Sequence, residues 1–244
     1  MTNLYLFIAV TLAYLVKGLT GFGNTLVMAP MFSAVVAPKT TTPVDLLFSL
    51  PANAFLVWKE RAGLKAKVVI PLASCVLIGN IPGVLFLKNG NVSMLKMVLG
   101  LVVLFIGLEM LFRDKFPVSK TVNPVTLTIL GVLSGFLAGM FGIGAPMVAY
   151  INRVADNNIE FRANICCVFL IENIFRLFAY GYTGILTRSV VLMALLLGPA
   201  VIIGMKAGFK MYSHLDAKVI HYFVIVLLLV SGSLLSIRSL LAIV

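Results

Sequence analysis

Charge is what this chain has least of. Only 11% of its 244 residues are Asp, Glu, Lys or Arg, and just eight are acidic. A soluble domain carries about 25% charged residues, so a water-facing globule is excluded. Histidine occurs twice, as His214 and His221 on either side of Asp216, with no His-Glu-x-x-His and no carboxylate or cysteine spacing suited to a metal. The three cysteines, Cys75, Cys166 and Cys167, all fall in apolar stretches. An odd number there implies reduced, packing thiols and no disulfide framework. Also missing are a Gly-x-Ser-x-Gly nucleophile turn, a phosphate-cradling Gly-x-x-x-x-Gly-Lys segment and any extramembrane stretch able to house ATP hydrolysis. Neither an enzyme nor a bound metal or organic cofactor is expected.

What remains is apolar. Hydrophobic residues make up 61% of the chain, its mean hydropathy is +1.11, and residues 68–87, 121–152, 189–205 and 219–237 carry no formal charge. About 20 apolar residues cross a bilayer as a helix, whereas closed barrels show alternating strands of about ten. The expected fold is an all-α polytopic membrane protein. A net charge of +11 would suggest nucleic acid in a soluble chain. Here the Lys and Arg residues sit between apolar spans, where they suit anionic lipid headgroups and a positive-inside bias, and no nucleic-acid partner is expected. No basic segment precedes the first apolar stretch, so that stretch is expected to be retained and not cleaved as a signal.

The apolar runs come in two copies. Adding 121 to Gly18, Gly21, Gly23, Gly63 and Gly83 gives Gly139, Gly142, Gly144, Gly184 and Gly204, so five of the nine first-half glycines coincide with another. Leu12/Leu133, Phe48/Phe169 and Leu56/Leu177 match at the same offset. The expected organisation is two membrane repeats, 1–116 and 117–244. Each has four helical elements: 3–37, 44–58, 68–87 and 94–112, then 124–151, 163–182, 189–210 and 219–238. The first element of each repeat is broken by its glycines. Such paired breaks point to a transporter's binding site, because broken backbone at membrane depth survives only where protein or a water-filled cavity takes its hydrogen bonds.

Charge distribution distinguishes two threadings. If each broken element crosses once, in an eight-span parallel repeat, the loop cations divide nine against eight between the faces. If each is a re-entrant hairpin, Lys59, Arg61, Lys65, Lys67, Arg113, Lys115, Lys120, Arg153, Arg162, Lys206, Lys210 and Lys218 share one face and Lys39, Lys88, Lys96, Arg188 and Arg238 the other, twelve against five. The bias favours hairpins, a cytoplasmic twelve-charge face and inverted repeats.

Three glycines within each break permit positive φ and close approach to a ligand. Asn24 or Thr25 is expected to cap the helix after the first break, and Pro146 to open the one after the second. A helix start presents N–H groups and partial positive charge to an anion. The expected anion-binding set is Lys17, Thr20, Gly21, Gly23, Asn24, Thr25 and Asn53 from the first repeat, with Gly142, Gly144, Asn173 and Arg176 from the second. Lys17 qualifies because a charge at membrane depth is costly and is kept for function or for a local carbonyl partner. Glu172 and Arg176, four apart, share a helical face as a binding and coupling pair or as a purely structural one. Glu172 is the candidate for coupling or gating, with protons as the coupling ion. The counterpart helix offers Ser49, Asn53 and Trp58. Lys17, Arg176 and Glu172 together leave a positive interior, suited to an anion.

At these residues the chain resembles the sulfite exporter TauE/SafE family of membrane permeases. The likeness rests on the Gly18, Gly21, Gly23 segment followed by Pro30, on the segment from Gly135 to Gly144, on Arg61-Ala-Gly63-Leu and on Gly79-Asn-Ile-Pro-Gly83. It implies secondary transport of sulfite, a sulfonate or a related small anion, typically out of a bacterial cell across its inner membrane. Asn24-Thr25 and Ala145-Pro146 stand where the family usually has further glycines, which adds hydrogen-bonding groups for an anion with several oxygens. The alternatives are a small carboxylate permease and a membrane-embedded assembly or sensor protein that moves nothing.

Overall fold

A computed structural model describes residues 2–113, 123–211 and 217–241. The expectations that rest on Lys115, Lys120, His214, Asp216 and the 116/117 boundary lie outside them. Every element among the described residues is helical: α1 (Thr2–Thr20), α2 (Asn24–Ser33), α3 (Pro38–Lys59), one 3₁₀ turn (Arg61–Gly63), α4 (Ala66–Asn89), α5 (Val92–Arg113), α6 (Pro124–Phe141), α7 (Ala145–Val154), α8 (Asn158–Thr183), α9 (Arg188–Met211) and α10 (Ala217–Leu241). Six are long and apolar enough to cross a membrane: α1, α4, α5, α6, α8 and α9.

The glycine breaks form as expected, with differences at their edges. Gly21, Gly23 and Gly142 take positive φ, at 87°, 85° and 78°, a region that side chains with a Cβ rarely enter. Gly144 stays at φ −108°. Gly18 and Gly139 lie inside α1 and α6. The cap expected of Asn24 or Thr25 does not form: Gly23 occupies that position and no side chain caps α2. The reason is competition, since the Asn24 carboxamide turns toward Lys17 and Tyr14. Pro146 sits within the first turn of α7, where its missing N–H costs no helical bond. Asn123 and Asn157 supply caps that sequence reading passed over, accepting from Val125 N at 3.1 Å and Glu160 N at 2.9 Å.

The chain divides into two compact units. One comprises Met1–Thr41, Gly90–Pro117 and Leu192–Val244, and the other Thr42–Asn89 and Val118–Val191. In the first unit the chain reverses at its break, because Tyr5 Oη of α1 donates to the Met31 carbonyl of α2 at 3.0 Å. At 1.5 Å per residue a continuous helix would separate these residues by about 39 Å. Methyl groups at Gly204 or Gly208 of α9 would strike the α1 backbone at Thr11, Leu15 and Gly18.

The second unit has a matching seam. Side chains at Gly79 or Gly83 of α4 would strike the α6 backbone at Val132, Phe136 and Gly139. Its other feature is an ionic cluster joining the turn after α3 to the start of α8. Lys65 Nζ lies 2.9 Å from Asp156 and 2.7 Å from Glu160, Arg162 pairs with Glu60 at 3.8 Å, and Asn164 accepts from Lys65 N at 2.8 Å while donating to the Gly63 carbonyl at 3.3 Å. The hydrogen bonds it donates to Glu160 and then to Asp156 hold the exposed Lys65 ammonium above its ordinary pKa. The loops 59–67 and 153–162 therefore meet at one end of this unit.

Candidate functional site

Each unit carries one helix break with a buried charge beside it. In the first unit the turn closes through Gly21 N donating to the Lys17 carbonyl at 2.7 Å, and α2 begins with Val27 N donating to Gly23 O at 3.3 Å. Lys17 is 1% exposed, so it does not snorkel to an interface. Its ammonium donates to Asn24 Oδ1 at 3.0 Å. Asn24 Nδ2 in turn donates to Tyr14 Oη at 3.3 Å and Thr25 Oγ1 at 3.2 Å. The result is a cation held by the neutral Asn24 carboxamide at the first turn of a helix, with Lys17, Asn24, Tyr14 and Thr25 all buried. A buried ammonium at membrane depth beside a helix start favours an anionic ligand. Thr20 serves the turn itself: its hydroxyl donates to the Val16 and Phe22 carbonyls at 2.9 and 2.7 Å and accepts from Phe22 N at 3.2 Å.

In the second unit the break closes the same way, with Gly142 N donating to Ala138 O at 2.7 Å and Val148 N to Gly144 O at 3.0 Å. Gly144 packs so tightly on the Phe169 ring that a Cβ would come within 2.8 Å of it. The charge here comes from α8. Arg176 Nη1 donates to Glu172 Oε1 at 3.1 Å, and its Nε and Nη2 donate to Tyr180 Oη at 3.1 and 3.0 Å. Tyr180 Oη donates its own hydrogen bond to the Gly139 carbonyl, 2.7 Å away, which ties the pair to the last turn before the break. Asn80 Nδ2 of α4 donates to the same Glu172 oxygen at 3.1 Å. Glu172, Arg176 and Tyr180 are all fully buried.

The expected site residues thus separate into groups. Lys17, Asn24 and Thr25 gather at the first break. Glu172 and Arg176 gather near the second, and the guanidinium there is engaged by Glu172 and Tyr180. Asn53 and Asn173 are buried in the second unit, and Asn53 Oδ1 and Asn173 Nδ2 have no hydrogen-bond partner among the described residues. Tyr182, on the same helix as Arg176, is 96% exposed and plays no part.

Three participants were missed by sequence reasoning. Asn80 sits within Gly79-Asn-Ile-Pro-Gly83, where a lone amide in an uncharged run was the available signal. Tyr14 lies one helical turn before Lys17 and was visible by that spacing. Asp45, at the start of the second element, is 2% exposed and interacts electrostatically with Glu172, Arg176 and Tyr180. It corrects the expectation of a positive interior: Lys17 and Arg176 are matched by Asp45 and Glu172.

Comparison with known proteins agrees with this reading at the level of family. The chain is 27% identical over 195 residues to a protein of Cupriavidus necator described as "Probable sulfite/organosulfonate exporter TauE", covering 78% of this chain and 76% of that one. No solved structure matches it. The sequence model described as "Sulfite exporter TauE/SafE" matches residues 6–235, nearly the whole chain, and this multi-pass membrane protein belongs to that transporter family.

Proposed function

We propose that this chain is a secondary permease that carries sulfite, an organosulfonate or a similar small oxyanion across the bacterial cytoplasmic membrane, with no chemical conversion of its cargo. The observation that carries the proposal is the buried Lys17 ammonium at the first helix break, held by Asn24. In this reading Lys17 supplies the charge, Asn24 and Thr25 supply hydrogen bonds, and the start of α2 supplies backbone N–H groups and partial positive charge. Gly21 and Gly23 keep side chains out of the approach. The family supports the class of cargo, and the curated relative's description supports a sulfur oxyanion. A bound anion stabilises only the folded state. Sulfite or a short alkanesulfonate at 100 times its dissociation constant is therefore expected to stabilise the detergent-solubilised protein by about 2.7 kcal/mol, read by thermal unfolding. Identical unfolding with and without every anion tried would contradict the reading.

We further infer that the two repeats are inverted copies, each opening with a re-entrant hairpin. Support comes from element bounds that recur 121 residues apart, such as Asn24–Ser33 and Ala145–Val154. The turn bonds Gly21–Lys17 and Gly142–Ala138 recur at the same offset, as do the seams in which Gly204 meets Leu15 and Gly83 meets Phe136. Three full crossings per repeat invert the second copy. The meeting of loops 59–67 and 153–162 also favours hairpins, because a straight passage would send them to opposite faces. Cysteines introduced singly at exposed Ala62 and Asn158 are expected to resist a membrane-impermeant thiol reagent on intact cells and to react after permeabilisation. Labelling of position 158 alone on intact cells would contradict the threading.

A further inference from the structure

Two oxygens in the second unit are buried, unpaired and attached to side chains already joined to each other. Glu172 Oε1 accepts from both Asn80 Nδ2 and Arg176 Nη1, while Glu172 Oε2 and Asn80 Oδ1 have no hydrogen-bond partner among the described residues. Both residues are at least 99% buried. A buried acceptor left without a donor is destabilising, and this pair has two. A carboxylate and a carboxamide joined by one N–H···O bond lack a single proton to become a cyclic acid–amide pair. The carboxyl O–H would then donate to the amide oxygen as the amide N–H donates to the other carboxyl oxygen.

We propose that Glu172 and Asn80 form a proton-binding site, in which Glu172 Oε2 takes up one proton and shares it with Asn80 Oδ1. The inference rests on the transport reading for its consequence and on the geometry alone for its existence. The balance is simple: a carboxylate and one proton give a carboxylic acid, and release returns the proton to water. The ionisable groups acting on Glu172 are Arg176 and Tyr180 from α8 and Asp45 from α3. From α4 the neighbour is neutral Asn80, and α6 contributes its Gly139 carbonyl to Tyr180. Proton uptake by Glu172 removes one negative charge from this buried cluster.

Gly139 belongs to the same arrangement. A Cβ there would approach Asn80 Oδ1 to 2.9 Å and the Asn80 carbonyl to 2.5 Å, so the glycine leaves room for the carboxamide beside the last turn of α6. Removing a negative charge from the interior favours entry of an anion, so proton and anion binding reinforce each other. By reciprocity the proton raises anion affinity by the factor that the anion raises proton affinity. One linked proton changes the apparent anion dissociation constant by at most about tenfold per pH unit.

The experiment compares the full-length wild type with Glu172→Gln and Asn80→Leu by two readouts. The first is infrared difference spectroscopy across a pH titration, which needs no transport. The wild type is expected to show a carboxylic-acid carbonyl band that grows on acidification and is absent from Glu172→Gln. In Asn80→Leu the same band is expected at higher wavenumber, since the acid loses both the amide N–H donated to its carbonyl and the amide oxygen that accepts its O–H. The second is the pH dependence of sulfonate flux in liposomes. The wild type should gain apparent affinity on acidification, and whatever flux Glu172→Gln retains should lack that dependence, since its side-chain amide N–H replaces the acid proton. An unchanged infrared titration in Glu172→Gln would overturn the proton site. A wild type with the expected band and no flux of any anion would overturn the transport reading and leave the proton site standing. Should Glu172→Gln fail to fold, the Asn80→Leu shift decides: a band at the wild-type wavenumber contradicts the proposal.

Discussion

Arg176→Gln is expected to destabilise the protein by about 3–5 kcal/mol, the usual cost of removing one partner from a buried ion pair. The guanidinium is the hub of its neighbourhood, with one arm on Glu172 and two nitrogens on Tyr180. Without it, Glu172 is left as a buried carboxylate near Asp45, and the Tyr180 oxygen loses both donors while still holding the Gly139 carbonyl. Glutamine is too short to reach both groups. Chemical unfolding in detergent micelles measures the loss. The double change Glu172→Gln with Arg176→Gln is expected to recover most of it, because replacing both charges by neutral groups of similar size removes the stranded carboxylate. A single variant as stable as the wild type would show that the pair is not closed in the folded protein. If the double variant is stable yet inactive, Arg176 contacts the anion as well.

The second large effect belongs to Lys17. Its replacement by methionine keeps length and burial but removes the charge, so the anion loses a charge-assisted hydrogen bond worth about 1.5–3 kcal/mol. That corresponds to about a 10- to 150-fold rise in the apparent dissociation constant. The loss of a donor to Asn24 Oδ1 is offset in part by relief of a buried ammonium, so the variant is expected to fold. Radiolabelled-sulfonate binding to the purified Lys17→Met protein measures the effect, and unchanged affinity would move the anion away from the first break.

These two residues also show what could be read from sequence. Both breaks were legible because three glycines interrupt each apolar run at a common offset, and only glycine accepts the positive φ adopted at Gly21, Gly23 and Gly142. The Glu172–Arg176 pair followed from spacing alone. What escaped were partners contributed by other elements. Asn80 reaches Glu172 across 92 positions, a relation fixed by the close α4–α6 and α4–α8 packing that small residues allow. Asp45 was overlooked beside the helix boundary, which is why the interior charge was read as positive. The cap expected of Asn24 failed for a related reason: a buried lysine competes for a carboxamide more strongly than a backbone N–H does. The reversal at the first break was suggested by loop charge but needed the contact between Tyr5 and Met31 to be seen.

Saturable flux of a sulfur oxyanion through the purified protein in liposomes tests the central claim most directly. The account predicts that sulfite or a short sulfonate crosses with saturation kinetics, that related anions compete, and that Lys17→Met raises the half-saturating concentration by about 10- to 150-fold. Flux no greater than in empty liposomes for all these anions, from protein shown to be folded, would contradict it.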